Sequence, residues 1–209
     1  IEGRLRPSFL PIIPGHQAVG RIVAMDKDAP NFNISDRVGI AWIFSACGNC
    51  MMCKSGQENL CPYFVATGHG VNGGYAEYMT VPTAYAYAIP DSLTDEEAAP
   101  LLCAGAIGYR SLRLTCLQDG QLLGLVGFGA AGHLVLKLAS YLYPTCEIYV
   151  FSRNSEERIL AQQLGVTWAG DISDKSPRKL QAIIDTTPVW FPVLCALENL
   201  ERGGRLVIN

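Results

Sequence analysis

No stretch of this 209-residue chain stays apolar for the ~18 residues that a membrane-spanning helix needs. No basic-then-apolar leader opens it, which predicts a chain that is not secreted. Charge is sparse and nearly balanced: 16 Lys and Arg against 19 Asp and Glu leave a formal −3. That balance supplies no basic field to draw nucleic acid or an acidic membrane surface, so neither is expected as a partner. Internal repeats and low-complexity linkers are also missing, which excludes a repeat array.

What is present is apolar and cysteine-bearing. Hydrophobic residues make up 49%, enough for one real core or two modest ones. Of the eight cysteines, four crowd into one loop and the rest sit in apolar runs, which predicts reduced thiols and a cytoplasmic setting.

Along the chain, Pro7, Pro11 and Pro14 keep the opening extended. Arg21–Met25, Arg37–Phe44, Tyr75–Val81 and Tyr85–Ile89 read as strands, so the first ~90 residues are all-β in character. After Pro90 comes a helix opened by Thr94 with Glu96 and Glu97 in its first turn, then an apolar helix over Leu101–Leu114. From Gln121 strands alternate with helices: Glu147–Phe151, Ser155–Leu164, Val166–Ala169, Ala182–Thr187, Pro192–Leu200 and Arg205–Ile208. Such alternation means a parallel sheet with right-handed crossovers. The expected class is α/β, divided as residues 1–90, a connector over 91–118, and 119–209.

The alternation starts with a telling segment. Leu122–Val126 suits a buried strand, Gly127-Phe128-Gly129-Ala130-Ala131-Gly132 follows at once, and a mostly apolar helix continues from Leu134. In this G-x-G-x-x-G spacing Gly127 permits the tight turn, Gly129 lets backbone approach a pyrophosphate, and Gly132 lets helix and strand pack closely. Helix-start N–H groups around Ala130 and Ala131 would face the phosphates, and Thr186 is counted with this cofactor site.

Cys47-x2-Cys50-x2-Cys53-x7-Cys61 is the most specific signal. Four thiolates in one loop can wrap a tetrahedral zinc at Zn–S distances of ~2.3 Å and leave no open position, which makes the ion structural. Gly48, Asn49 and Gly56 permit the bends. Two disulfides and an iron–sulfur cluster are the rival readings.

Pro14-Gly15-His16-Gln17-Ala18-Val19-Gly20, the Cys47–Cys61 knuckle, Gly73-Gly74-Tyr75-Ala76-Glu77-Tyr78, Ala98-Ala99-Pro100-Leu101-Leu102-Cys103-Ala104-Gly105 and the glycine turn together resemble the zinc-dependent medium-chain alcohol dehydrogenases. The resemblance runs over essentially the whole chain, Glu2-Gly3 included. It implies a partial GroES-like β domain followed by a Rossmann doubly wound parallel sheet. It also implies hydride transfer between an alcohol or aldehyde and a nicotinamide, a homo-oligomer at full length, and a catalytic zinc held by His16 and Cys103. The family's first zinc ligand is a cysteine upstream of its GHE-like segment, and none precedes His16; its opening β-structure and sixth strand are missing as well. The expectation is therefore a fragment or a shortened relative. A non-catalytic nucleotide-binding protein keeping only the structural zinc is the alternative. Gln17, counted with His16 and Cys103 in the catalytic site, replaces the family's usual Glu near the zinc. Asp26 and Ser35 stand where turn glycines are usual, and either is strained if its φ is positive. His69 reads as a plain loop residue. At the cofactor's ribose end, Phe151 is followed by Ser152 and Arg153 with no acid until Glu156. Arg153 can pair with a 2′-phosphate and Ser152 can donate to it, which predicts NADP over NAD.

Overall fold

The computed structural model describes residues 7–27, 29 and 31–209. Glu2-Gly3 of the family resemblance lies outside the described residues. Two compact units divide the chain, one ending at Cys103 and the other running Ala104–Asn209.

The first unit is built on short antiparallel pairings. β1 (Ala18–Arg21) and β5 (Ala86–Ala88) flank β2 (Arg37–Ile40) in a three-stranded sheet. β3 (Ile43–Ser45) pairs with β4 (Val65–Ala66), and the single-turn helix α1 (Met51–Lys54) lies in the loop between them. Three expected strands differ, and the one expected over Arg37–Phe44 breaks at Ala41 and Trp42 into β2 and β3, which belong to different sheets. The first runs Ala18–Arg21 rather than Arg21–Met25, because Ala18 through Arg21 take register against Ile40 through Arg37. The chain then turns, with Asn31 at φ 71° and Ser35 at φ 73°. Ser35 thus occupies the left-handed region that a glycine would fill without strain, whereas Asp26 does not. Residues 75–81 form no strand at all. The N–H groups of Gly73, Gly74 and Tyr75 donate to Ile13, Gly15 and Pro14 instead of to a ladder.

Helix α2 (Asp95–Pro100) opens with a capping box: Thr94 accepts from the Glu97 N–H while the Glu97 side chain accepts from the Thr94 N–H. Arg37 ties this helix to the sheet, reaching Asp95 at 2.5 Å and the Leu93 carbonyl at 2.7 Å. The expected single helix from Leu101 to Leu114 is divided: a wide π turn over Leu101–Gly105 precedes α3 (Ala106–Thr115). Pro100 supplies no N–H, so the hydrogen bonding rearranges just after it.

The second unit is a five-stranded sheet in the order β10-β9-β6-β7-β8, every pairing parallel. Its strands are β6 (Leu122–Val126), β7 (Glu147–Phe151), β8 (Trp168–Gly170), β9 (Leu180–Asp185) and β10 (Leu200–Ile208). Helices α4 (Ala130–Leu142), α5 (Ser155–Gln163) and α6 (Trp190–Asn199) connect them. All five residues of β6 are buried, as a central parallel strand requires. One face of the sheet packs Leu123, Leu125, Val150 and Ile184 against Leu112, Val135 and Ala161 of α3, α4 and α5. The other packs Leu122, Val126, Tyr149 and Ile183 with Ala196 of α6. This is the doubly wound arrangement that the alternation predicted, with strand order reversing direction between β6 and β9. No helix among the described residues is long and apolar enough to cross a membrane.

Candidate functional site

The cysteine loop closes on itself. Sγ atoms of Cys47, Cys50, Cys53 and Cys61 all lie within 4.8 Å of one another, with Cys50 to Cys53 at 3.5 Å and Cys47 to Cys53 at 3.9 Å. Gly48 at φ 71° and Gly56 at φ 69° make the bends on either side of α1, conformations open to glycine without strain. Backbone N–H groups point at the sulfurs: Cys50 to Cys47 at 3.4 Å, Cys53 to Cys50 at 3.5 Å, and Tyr63 to Cys61 at 3.4 Å. Sulfurs on a tetrahedral zinc stand about 3.8 Å apart, so the cluster has the right size. Its charges point the same way. N–H donation from Asn49 and Cys50 holds the Cys47 thiol down to about 6, while burial beside Cys50 pushes Cys53 up to about 12. Four thiolates in one loop need a dication to coexist. All eight cysteines are free, so the disulfide reading does not describe this loop.

His16 is held by a backbone clasp. Ile13 N–H donates to Asn72 at 3.0 Å, and the three donors at Gly73, Gly74 and Tyr75 close on the carbonyls around it. A Cβ on Gly73 would meet the Gly15 carbonyl at 2.1 Å and one on Gly68 the Gly15 nitrogen at 2.7 Å, so these two glycines are what lets the loops touch. The clasp brings His16 Nε2 to 3.2 Å from Cys103 Sγ, across 87 residues of sequence. Both are half-buried. Burial pushes His16 below its ordinary value, toward the neutral imidazole that a metal ligand must be, and Cys103 above its ordinary value, toward the thiol. Among the described residues no third His, Cys, Asp or Glu joins the pair. Gln17 is exposed.

A cavity of about 620 Å³ opens beside His16, lined by Trp42, Phe64, Thr67 and His69. Trp42 and Phe64 meet edge to face at 5.0 Å. Thr67 is 1% exposed and its hydroxyl has no partner among the described residues. None of the first three was picked out from sequence. They come together through the pairing of Ile43 with Ala66, a contact that no short motif announces.

In the second unit, the glycine turn joins β6 to α4 at the point where strand order reverses. Gly127 sits at φ 82°, and a Cβ there would meet Thr186 Oγ1 at 2.8 Å. A Cβ on Gly132 would meet the Gly127 carbonyl at 2.5 Å, whereas one on Gly129 would meet nothing within 4 Å. Gly129 therefore leaves open space above the helix start, and no side chain caps α4. Gly129 and Ala130 are exposed, Ala131 is half-buried and Phe128 is buried. Open glycine backbone and uncapped N–H groups suit a pyrophosphate. Thr186 donates to the Val126 carbonyl at 3.1 Å and braces the turn. Next to it Asp185 is 0% exposed; Thr187 donates to Oδ1, Oδ2 has no partner among the described residues, and burial pushes the carboxyl up. At the end of β7, Ser152 is buried and donates to Glu157, while Arg153 is exposed.

Residues 1–91 match the family described as alcohol dehydrogenase GroES-like domain. The Mycobacterium tuberculosis protein named "Probable alcohol dehydrogenase AdhA" is 46% identical over 212 residues, covering 99% of this chain and 61% of its own length. Among solved structures, CAD from Helicobacter pylori complexed with NADP(H) superposes with a TM-score of 0.89 at 30% identity, covering 96% of this chain and 60% of that one. The cobalt- and zinc-bound thermostable alcohol dehydrogenase from Pyrobaculum aerophilum superposes at 0.86 with 25% identity, over 99% of this chain and 61% of that one. The chain thus spans about three fifths of the length of the relatives it matches.

Proposed function

We propose that this chain belongs to the zinc-type medium-chain alcohol dehydrogenases and that it serves hydride transfer between a small alcohol or aldehyde and a nicotinamide dinucleotide. The observation that carries the reading is the 3.2 Å approach of His16 Nε2 to Cys103 Sγ, two zinc-type donors brought together from distant segments. His16 and Cys103 are the residues that would hold a catalytic zinc, and Cys47, Cys50, Cys53 and Cys61 a structural one. Gly127 through Gly132 would hold the dinucleotide. When bound, zinc supplies Lewis acidity and the dinucleotide accepts the hydride.

The chain's own groups prepare for this. Burial lowers the pKa of His16, which favours the neutral imidazole that a metal ligand must be. Trp42 and Phe64 wall the adjoining cavity with apolar surface, which suits the carbon chain of an alcohol and excludes water. Gly129 leaves room for the phosphates, and Arg153 favours NADP over NAD because its free guanidinium matches a 2′-phosphate. Free cysteines suit a reducing, cytoplasmic setting, and the edge strand β10 supports self-association.

Metal analysis of the purified chain tests the reading. Two zinc ions per chain support it. One ion, lost when Cys53 is replaced and unaffected by His16→Ala, supports a second reading, a nucleotide-binding protein stapled by a structural zinc.

A further inference from the structure

In a doubly wound sheet the adenosine ribose of a bound dinucleotide lies at the tip of the second strand, here β7. The glycine turn is bonded directly to that tip: Gly127 N–H donates to the Phe151 carbonyl at 2.8 Å. One residue on, Ser152 is 2% exposed. Its hydroxyl donates to Glu157 Oε2 at 2.5 Å and accepts the Asn154 N–H at 3.1 Å. A hydroxyl has one proton to give, and this one goes to a carboxylate. Ser152 therefore cannot donate to a 2′-phosphate as the sequence suggested.

The cations of this turn divide in the same way. Arg158 is committed: Nη1 donates to the Ser152 carbonyl at 2.6 Å and lies 3.4 Å from Asp171 Oδ2. Arg153 is exposed and bonds no described residue. The start of α5, which would otherwise attract an anion, already carries Glu156 and Glu157 in its first turn, and the Asn154 side chain takes the Glu156 N–H. The ribose end thus carries the free Arg153 guanidinium and two carboxylates, exposed Glu156 and Glu157, of which only Glu157 is tethered by Ser152.

Resting on the dinucleotide reading above, we infer that Glu157 is a specificity-determining residue for the cofactor. Its carboxylate accepts from a ribose 2′-hydroxyl and repels a 2′-phosphate, in opposition to Arg153. The preference for NADP is held below about tenfold as a result, and NAD remains a working ligand.

Calorimetric titration of NAD+ and NADP+ into the chain, with Glu157→Gln and Arg153→Gln beside the wild type, tests this. The glutamine amide oxygen still accepts the Ser152 proton, so the substitution removes charge and keeps the tether. Glu157→Gln is expected to tighten NADP+ about tenfold and weaken NAD+ about threefold; Arg153→Gln is expected to weaken NADP+ about tenfold and leave NAD+ unchanged. A merely structural tether would move both dinucleotides together. Equal shifts for the two, or none, overturn the role given to Glu157 while leaving the dinucleotide reading standing. Absence of binding by either dinucleotide to the wild type overturns both.

Discussion

Gly129 and Gly132 lie one helical turn apart, yet a methyl group at each meets different surroundings. At Gly132 it strikes the Gly127 carbonyl at 2.5 Å; at Gly129 it points into open space. Gly132→Ala should therefore destabilise the second unit by about 1–3 kcal/mol, seen in thermal unfolding. Gly129→Ala should leave the melting temperature within about 2 °C and weaken dinucleotide binding tenfold or more, seen by titration. Equal loss of stability in the two variants would remove the argument that Gly129 is kept open for a ligand. Asp185 makes a second residue-scale prediction. Burial raises its folded pKa above the unfolded value, so the stability tied to its neutral form is complete at acid pH and lost as pH rises through the folded pKa. Asp185→Asn keeps an acceptor for Thr187 and has no charge to bury. It should melt about 3 °C above the wild type at pH 7.5, the shift that roughly 1 kcal/mol gives in a chain of this size, with the gap closing toward pH 4. A gap that is constant with pH would place the burden elsewhere.

At the scale of elements, local chemistry accounts for most of what forms. The Thr94 capping box starts α2, paired glycines bend the cysteine loop, and apolar runs make the parallel strands. The cysteine loop has little else to hold it, since α1 is a single turn with no buried residue. Removing a bound zinc should unfold it. Treatment with a chelator, or Cys53→Ser, is expected to release one equivalent of zinc and expose the loop to protease, leaving the melting of the parallel-sheet unit unchanged. Simultaneous loss of both units would contradict this. The π turn after Pro100 is the element that composition least announces. Leu101–Leu114 reads as continuous helix, and it is the missing N–H of Pro100, felt one turn on, that widens the backbone where Cys103 sits.

For the whole molecule, the exposed apolar surface is the feature with consequences. Among the described strands β10 lies at the edge of its sheet, and beside it α6 leaves Trp190 72%, Phe191 61% and Leu194 60% exposed. Unpaired strand edge and clustered apolar side chains promote association. Light scattering should find dimers or larger species at micromolar concentration, and Trp190→Glu should shift them toward monomer. A clean wild-type monomer would defeat the expectation.

Signals confined to one stretch were legible in the sequence. The strand–glycine turn–helix run, the four-cysteine spacing and the β-α alternation are each determined by neighbours within about 30 residues, and local periodicity reports them directly. The fold class, the cysteine cluster and the glycine turn follow from these alone. Tertiary structure decided what depends on distant segments. It clasped His16 with the 73–75 backbone and set it against Cys103, and it left Thr67 and Asp185 each with a buried oxygen that has no partner among the described residues. It also spent the Ser152 proton on Glu157, five residues away around a turn. A hydrogen-bond donor is shared out only once all its neighbours are in place, and no spacing rule reveals which one takes the proton.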